Sequence, residues 1–552
     1  ALAARTDATL AALEVDELHV PHVADAVNPE VIVLLNLSRD QLDRVGEINM
    51  IERKLRACVN AHPNAVIVAN CDDVLVTSVA YDATNVVWVA AGGGWAGDSV
   101  SCPRTGEPIV WEGKHWRSTG SDFARPEPTW WLDDDNLYGP DGLKIPMTLT
   151  LPGKANRGNA AQAVAAAAAL GADPVGAVAA ASTVQEVAGR YSTVEVGPHS
   201  VHMLLAKNPA GWQEALSMID PTVDGLVIAV NGQVPDGEDL SWLWDVKFEH
   251  FEGVKVVAAG ERGTDLAVRL TYAGVEHTLD PDPLRAIASC LPDVWRYWRT
   301  TRPSVTSTLP SRRSLAMSDS TVRIGLVLPD VMHLRRRRQC LILRQRLRMR
   351  GYDAEIVDIT LSDPVPDSLD VYTLGGAEDS AQRLATRHLA KYPGLQRAAE
   401  RGAPVLAICA AIQVLGNWYE TSSGERVDGV SMLDVTTSPQ EKRSIGEVIT
   451  KPLIDGLTAP LSGFENHRGG TTLGSSASGF ARVTHGVGNG VGDGFEGVVQ
   501  GSVIGTYMHG PALARNPELA DLLLMRALGV NELEPLHLPE VDKLRKERLA
   551  IR

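Results

Sequence analysis

Aromatic side chains make up only 5% of these 552 residues, although 44% are hydrophobic, a balance that fits ordinary α/β globular material. Cysteine is scarcer still. The six, at positions 58, 71, 102, 290, 340 and 409, form no CxxC pair and no regular spacing. That excludes a disulfide framework and an evident zinc site, and points to a reducing compartment. No signal peptide and no run long and apolar enough to span a bilayer is present; the alanine-rich stretch 160–172 is too short and too weakly apolar. No GxxxxGK[ST] phosphate loop occurs, and Gly113-Lys114-His115 and Gly153-Lys154-Ala155 do not replace one. Cationic excess is absent too: the formal charge of −16 argues against a general nucleic-acid binder. The length is too great for one core and implies about three domains.

What is present centres on Cys409. Residues 403–408 read as a short buried strand and 410–418 as the start of a helix. A cysteine on a sharp strand-to-helix turn, among small residues, is held exposed at the edge of a parallel sheet. His509, in Tyr507-Met508-His509-Gly510, is a candidate base for that thiol. A thiol–imidazole pair performs nucleophilic acyl transfer. The competing reading is a buried, inert cysteine.

Four segments decide between them: Gly375-Gly376-Ala377-Glu378-Asp379, Cys409-Ala410-Ala411-Ile412-Gln413, Gly463-Phe464-Glu465-Asn466-His467 and Tyr507-Met508-His509-Gly510. Together they resemble the class I glutamine amidotransferases, in the branch that holds cobyric acid synthase and the GatD type. The resemblance implies a flavodoxin-like parallel sheet over 321–552, Cys409 as nucleophile and His509 as base. It also implies Gln413 and Arg443 as glutamine-binding residues, and an oxyanion hole from the N–H of Ala410 and one from Gly375-Gly376. Alanine stands at 407 and 411, where that family usually has glycine. Many members carry Glu two residues after the histidine, but here Pro511 stands there, so the acid that orients His509 must come from elsewhere. In Asp239-Leu240-Ser241-Trp242-Leu243-Trp244-Asp245 we favour Asp245 over Asp239, with Glu465 as the alternative inside the second half.

Residues 1–300 alternate strand-like runs (31–35, 65–69, 86–90, 226–230, 254–258) with helical stretches, an α/β pattern. Residues 301–320 are polar and Ser/Thr/Pro-rich and read as a linker, and Met317 resembles an initiator, so the chain reads as a fusion or as two joined polypeptides. Leu13-Glu14-Val15-Asp16-Glu17, Asn70-Cys71-Asp72-Asp73, Gly153-Lys154-Ala155-Asn156, Gly189-Arg190 and above all Asp236–Asp245 resemble the Mur ligase family of the MurT type. This divides the chain into 1–192 (central ATPase domain), 193–300 (C-terminal ligase domain), 301–320 (linker) and 321–552 (amidotransferase domain). The resemblance implies ATP and Mg²⁺, with Glu14, Asn70, Asp73, Asn156 and Arg190 near the nucleotide and Lys54 where relatives carry a carbamylated lysine. In that family the phosphate loop precedes the part matching Ala1. Many MurT-type proteins also carry a four-cysteine zinc ribbon, but region 100–130 keeps only Cys102, so no zinc is expected and a metal-free insertion should replace it.

Two features stand aside. The arginines at 335–338, 344, 346, 348 and 350 form either a basic face for an anionic headgroup or a solvated helix face with Leu341, Leu343 and Leu347 inward; the solvated face is favoured. Trp242 and Trp244 read as packing residues rather than a stacking platform.

The expectation is a glutamine-hydrolysing, ATP-dependent amidation of the D-glutamate α-carboxylate of lipid II. It would take place in the cytoplasm at the inner membrane face with peripheral membrane contact, the two halves acting as partners. The alternatives are a corrinoid amidotransferase like cobyric acid synthase, or a glutaminase on a non-catalytic Mur-like scaffold.

Overall fold

The computed structural model describes residues 10–37, 48–92, 100–185, 191–197, 199–206, 209–219, 223, 225–232, 239–249, 251, 254–290, 321–332, 338–421 and 423–550. The described residues fall into two units, one of residues up to 196 with 200–218, the other of 219–552 with 197–199. The linker expected at 301–320 lies outside the described residues.

In the first unit, β-branched runs make parallel strands Val31–Leu34, Val66–Asn70 and Val86–Ala90, in register Val31↔Val66 and Ile67↔Val86. Trp130–Leu132 extends the sheet in parallel, and Asn136–Tyr138 and Lys144–Pro146 close it antiparallel. The alanine-rich helix Lys154–Ala169 buries Gly158, Ala161, Val164 and Ala165. It can lie that close only because position 158 is glycine: a Cβ there would stand 2.1 Å from the carbonyl oxygen of Ala91. In the region where a metal-free insertion was expected, Ile109–Glu112 and His115–Ser118 form a hairpin. Cys102 packs there with Val74, Ile109, Trp116 and Phe123.

Among the described residues the second unit holds three sheets. Leu226–Ala229, Val256–Ala259 and His277–Leu279 are parallel. The second sheet runs Ala354–Ile359, Val322–Val327, Val371–Leu374, Val405–Ile408, Val503–Thr506, Val498–Gln500, parallel except for its last member. The third is mostly antiparallel and built on an 18-residue strand, Val435–Pro452, which pairs antiparallel with Leu461–Leu473 and parallel with Trp418–Glu420. A mixed α/β fold with parallel sheets was expected; this long antiparallel extension was not.

On the arginine-rich helix, Arg338–Met349, Arg348 is exposed as the favoured solvated-face reading has it, but Arg338 and Arg346 correct that reading. Arg338 and Arg346 are 2% exposed. Arg346 donates to both carboxylate oxygens of Asp521 and to the Tyr272 hydroxyl, and Arg350 also donates to Asp521. Buried guanidinium needs such partners, and a carboxylate fork supplies them. Arg335, Arg336 and Arg337 lie outside the described residues. Trp244 packs against Tyr272 with ring centroids 5.7 Å apart, in keeping with a packing role.

Candidate functional site

The parallel strands Val405–Ile408 and Val503–Thr506 lie side by side, with Ile408 opposite Thr506. One residue beyond the first is Cys409, and its N–H donates to the Thr506 carbonyl at 2.9 Å. Three residues beyond the second is His509. Its backbone pairs with Phe464 in both directions, at 2.9 and 3.2 Å. Thiol and imidazole thus leave the sheet at one edge on neighbouring strands.

Cys409 has φ +56° and ψ −115° and stands directly before the helix Ala410–Leu415. A non-glycine residue with positive φ is strained, and such strain gathers at functional sites. The neighbours explain how it is held. Ala407 and Ala411 are fully buried. Gly505 leaves room for Ile412, whose Cγ1 would stand 2.9 Å from a Cβ there. The alanines that replace the family's glycines have ordinary backbone; the left-handed conformation falls on Cys409 itself. Gly376 is buried two residues past Leu374, and Leu374 pairs with Ala407, so the Gly375-Gly376 segment meets the same edge.

The side chains packed around Tyr507, which neighbours Cys409, are polar and tightly bonded. The Tyr507 hydroxyl lies 2.6 Å from Thr471 Oγ1, which lies 2.8 Å from Thr437 Oγ1. Gln413 also bonds that hydroxyl; burial, then the Cys409 sulfur, pushes the phenol up to about 12, so it stays protonated. The Tyr507 ring stacks on His467 with centroids 3.9 Å apart. Burial pushes His467 down to about 4, and its Nδ1 lies 2.9 Å from the Gly469 carbonyl, a neutral imidazole at physiological pH. Arg443 donates from Nε to Asn466 Oδ1 at 2.6 Å, which sets the direction of its fork. The structure therefore gathers Cys409, His509, Gln413 and Gly376 at one sheet edge, and holds Arg443 through the strand Leu461–Leu473, which also pairs with His509.

The acids are all engaged. Asp245 accepts from Arg338 Nε at 3.0 Å and from its Nη2. The next residue, Gln339, accepts the N–H of Leu513, four residues after His509. Asp239 caps the turn Leu240–Trp244 through the Ser241 N–H. Glu465 accepts from the N–H groups of Val487 and Gly488, both at 2.8 Å. One buried acid escaped the sequence reading. Glu496 accepts from Thr506 Oγ1 and the Tyr507 N–H, both at 2.7 Å, beneath the strand that leads to His509. Burial pushes its carboxyl up to about 7.

The residues expected near a nucleotide are bonded to their own backbone. Asp73 accepts from Leu37, Leu75 and Val76 N–H groups. Asn70 bonds Gly92, Asp72 and Ala91, and Asn156 donates to the Pro152 carbonyl. Glu14 and Lys54 are exposed, and Arg190 lies outside the described residues. Among the described residues no group of three His, Cys, Asp or Glu could hold a metal ion.

Comparison with known proteins agrees with the edge geometry. Residues 323–517 match the CobB/CobQ-like glutamine amidotransferase domain, and 205–288 match the MurT ligase C-terminal domain. The GatD subunit of the glutamine-hydrolysing lipid II isoglutaminyl synthase of Staphylococcus aureus is 36% identical over 187 residues, covering 34% of this chain and 75% of that protein. The MurT subunit of the Streptococcus pneumoniae enzyme is 26% identical over 301 residues, covering 50% of this chain and 66% of its own length. A cobyric acid synthase of Sphingopyxis alaskensis is 29% identical over 184 residues, but only 35% of that protein is covered. Fold and site thus define a glutamine amidotransferase of the CobB/CobQ-like class. Within that class the chain belongs to the GatD family, joined here to a MurT-type ligase half.

Proposed function

We infer that this chain hydrolyses glutamine at Cys409 and passes the ammonia to an ATP-dependent amidation of the D-glutamate α-carboxylate of lipid II, yielding D-isoglutamine. The observation that carries the reading is the strained Cys409 turn beside His509 at one sheet edge. His509 accepts the thiol proton, and the Cys409 thiolate adds to the side-chain carbonyl carbon of glutamine. The oxyanion takes hydrogen bonds from the Ala410 N–H and from the Gly375-Gly376 segment. The C–N bond then breaks, His509 protonates the leaving nitrogen, and ammonia departs from a thioester on Cys409. Water, deprotonated by His509, releases glutamate. Arg443 would hold the substrate carboxylate and Gln413 would orient it. Asp245, whose carboxylate is held by Arg338, the residue before the Gln339 that accepts the Leu513 N–H, is the carboxylate we assign to orient the imidazole.

ATP would supply the activation of the acceptor carboxylate. That step is assigned to the MurT-type half on kinship, as are Mg²⁺, the roles of Glu14, Asn70, Asp73, Asn156 and Arg190, and the division at 192, 300 and 320. Among the described residues no helix is long and apolar enough to cross a membrane; contact with lipid II at the cytoplasmic membrane face belongs to the proposal. The MurT-type stretch favours this reading over corrinoid amidation. The test is mass spectrometry of lipid II after incubation with the protein, ATP and glutamine. A loss of about one mass unit is expected for carboxylate-to-amide conversion. Free ammonia should drive the same change in Cys409→Ala. Unchanged lipid II under both conditions would remove the substrate assignment.

A further inference from the structure

Beyond the residues that meet glutamine lies a buried charge cluster joining the MurT-type stretch to the amidotransferase domain within one unit. Arg515 is 2% exposed. Its Nη1 and Nη2 donate to the Glu447 carboxylate at 2.5 and 3.3 Å, and Nη2 stands 3.9 Å from Asp265 Oδ1. Asp265, in the first turn of the helix Gly263–Ala273, also accepts from Arg262 at 2.8 Å and Arg548 at 3.2 Å. Burial works to raise the Asp265 carboxyl, but the surrounding arginines hold it below the ordinary carboxylate range.

Two contacts point this cluster at the catalytic histidine. Gly510 follows His509 with φ +95°, and a Cβ built there would stand 3.2 Å from Cζ and Nε of Arg515. The guanidinium therefore lies against the His509–Gly510 turn. Glu447 also pairs in register with Phe464, and Phe464 bridges His509. Glu447, Phe464 and His509 stand in a row across neighbouring strands, and Arg515 spans the row from Glu447 to the turn after His509.

We propose that Arg515 is a positioning residue for His509, locked by Glu447 and by Asp265 of the MurT-type stretch, so that the glutaminase centre takes its working geometry from that stretch. The proposal rests on the glutaminase reading. A merely structural ion cluster would change stability when broken. A positioning cluster changes the imidazole's direction, and displacement of a catalytic group by about 1 Å can cost 10²-fold in rate.

The experiment measures glutamate release from glutamine by the full chain carrying Arg515→Lys, Asp265→Asn or Glu447→Gln. Folding is followed by circular dichroism. Arg515→Lys keeps the charge and the buried stem, which guards against loss of the fold, but it lacks the two-pronged fork. In all three variants kcat should fall about 10- to 100-fold with KM within about twofold of the parent, and the acid limb of the kcat/KM profile should move. Unchanged kcat, or a lowered kcat with an unmoved pH profile, overturns the proposal while the parent's activity upholds the glutaminase reading. A parent that releases no glutamate removes that reading and this inference together.

Discussion

At the scale of single residues the site is an exercise in holding costly states. Cys409 keeps a backbone conformation that side-chain-bearing residues avoid, and the Thr506 carbonyl and the helix Ala410–Leu415 fix it there. Arg443 meets the pocket through Asn466, so its contribution should be to binding. Arg443→Lys keeps the charge but loses the fork. It should raise the KM for glutamine about tenfold with little change in kcat, as expected for uniform binding worth ~1.4 kcal/mol. Steady-state kinetics checks this; an unchanged KM would place the substrate carboxylate elsewhere. Glu496 gives a second prediction. Its folded-state pKa, about 7, lies above the usual 4.5, so between those values the folded chain binds the proton more tightly than the unfolded chain. Stability therefore falls as pH rises from about 4.5 to 7, by up to about 3 kcal/mol at ~1.4 per pH unit. Glu496→Gln keeps an acceptor for Thr506 and Tyr507 but cannot ionise. Its melting temperature relative to the parent should climb from pH 5 to pH 8, and a parallel pair of curves would contradict the assignment. Cys409 and His509 could be singled out in the sequence as candidates because each sits in a short local signature, and the structure brings them to one sheet edge. Glu496 was not. It lies among glycines that read as a turn, and its burial comes from pairing with Ala481, which no local pattern announces.

Among the elements, the helix Arg338–Met349 shows why charge runs mislead. Its arginines have no acidic neighbours one turn away, so the local sequence reads as a solvated face. Arg338 is paired with Asp245, 93 residues earlier, and Arg346 with Asp521, 175 residues later. Asp521 serves both Arg346 and Arg350. Asp521→Asn leaves two poorly compensated buried cations, and breaking such a cluster costs about 3 kcal/mol or more. Denaturant unfolding should show that loss; a change below about 0.5 kcal/mol would mean that the arginines are solvated after all. The runs 31–35, 65–69, 86–90, 226–230, 254–258 and 403–408 were readable as strands, within a residue or two of the observed ends, whereas the parallel strands Trp130–Leu132, His277–Leu279, Ala354–Ile359, Val371–Leu374 and Val503–Thr506 were not singled out. Less readable was the long pair Val435–Pro452 and Leu461–Leu473. The first of these carries Pro439 and charged Glu441, Lys442 and Arg443, and its register shifts between Pro439 and Ser444. Those residues argue locally for a loop, and it is pairing with a distant strand that overrides them.

For the whole molecule, the kinship is with two different proteins, one over each half, and the chain spans 66% of the MurT relative and 75% of the GatD relative. The helix Gly263–Ala273, on the MurT-type side, is tied to the amidotransferase domain by Asp265 and by Thr264, which donates to Glu547 at 3.1 Å. Such ties fit a glutaminase whose product is used by a neighbouring centre rather than released to water. The order of a MurT-type stretch followed by an amidotransferase domain was legible from segments scattered along the chain; the charged joint was not, because each of its members alone reads as a surface residue. In the proposed function, glutamine hydrolysis at Cys409 underlies every later step, and one measurement reaches it most directly: the steady-state release of glutamate from glutamine by the parent chain and by Cys409→Ala, both confirmed folded by their melting curves. The parent should release glutamate, and the variant should fall to background with an unchanged melting temperature. Equal release by the two would show that Cys409 is not the nucleophile.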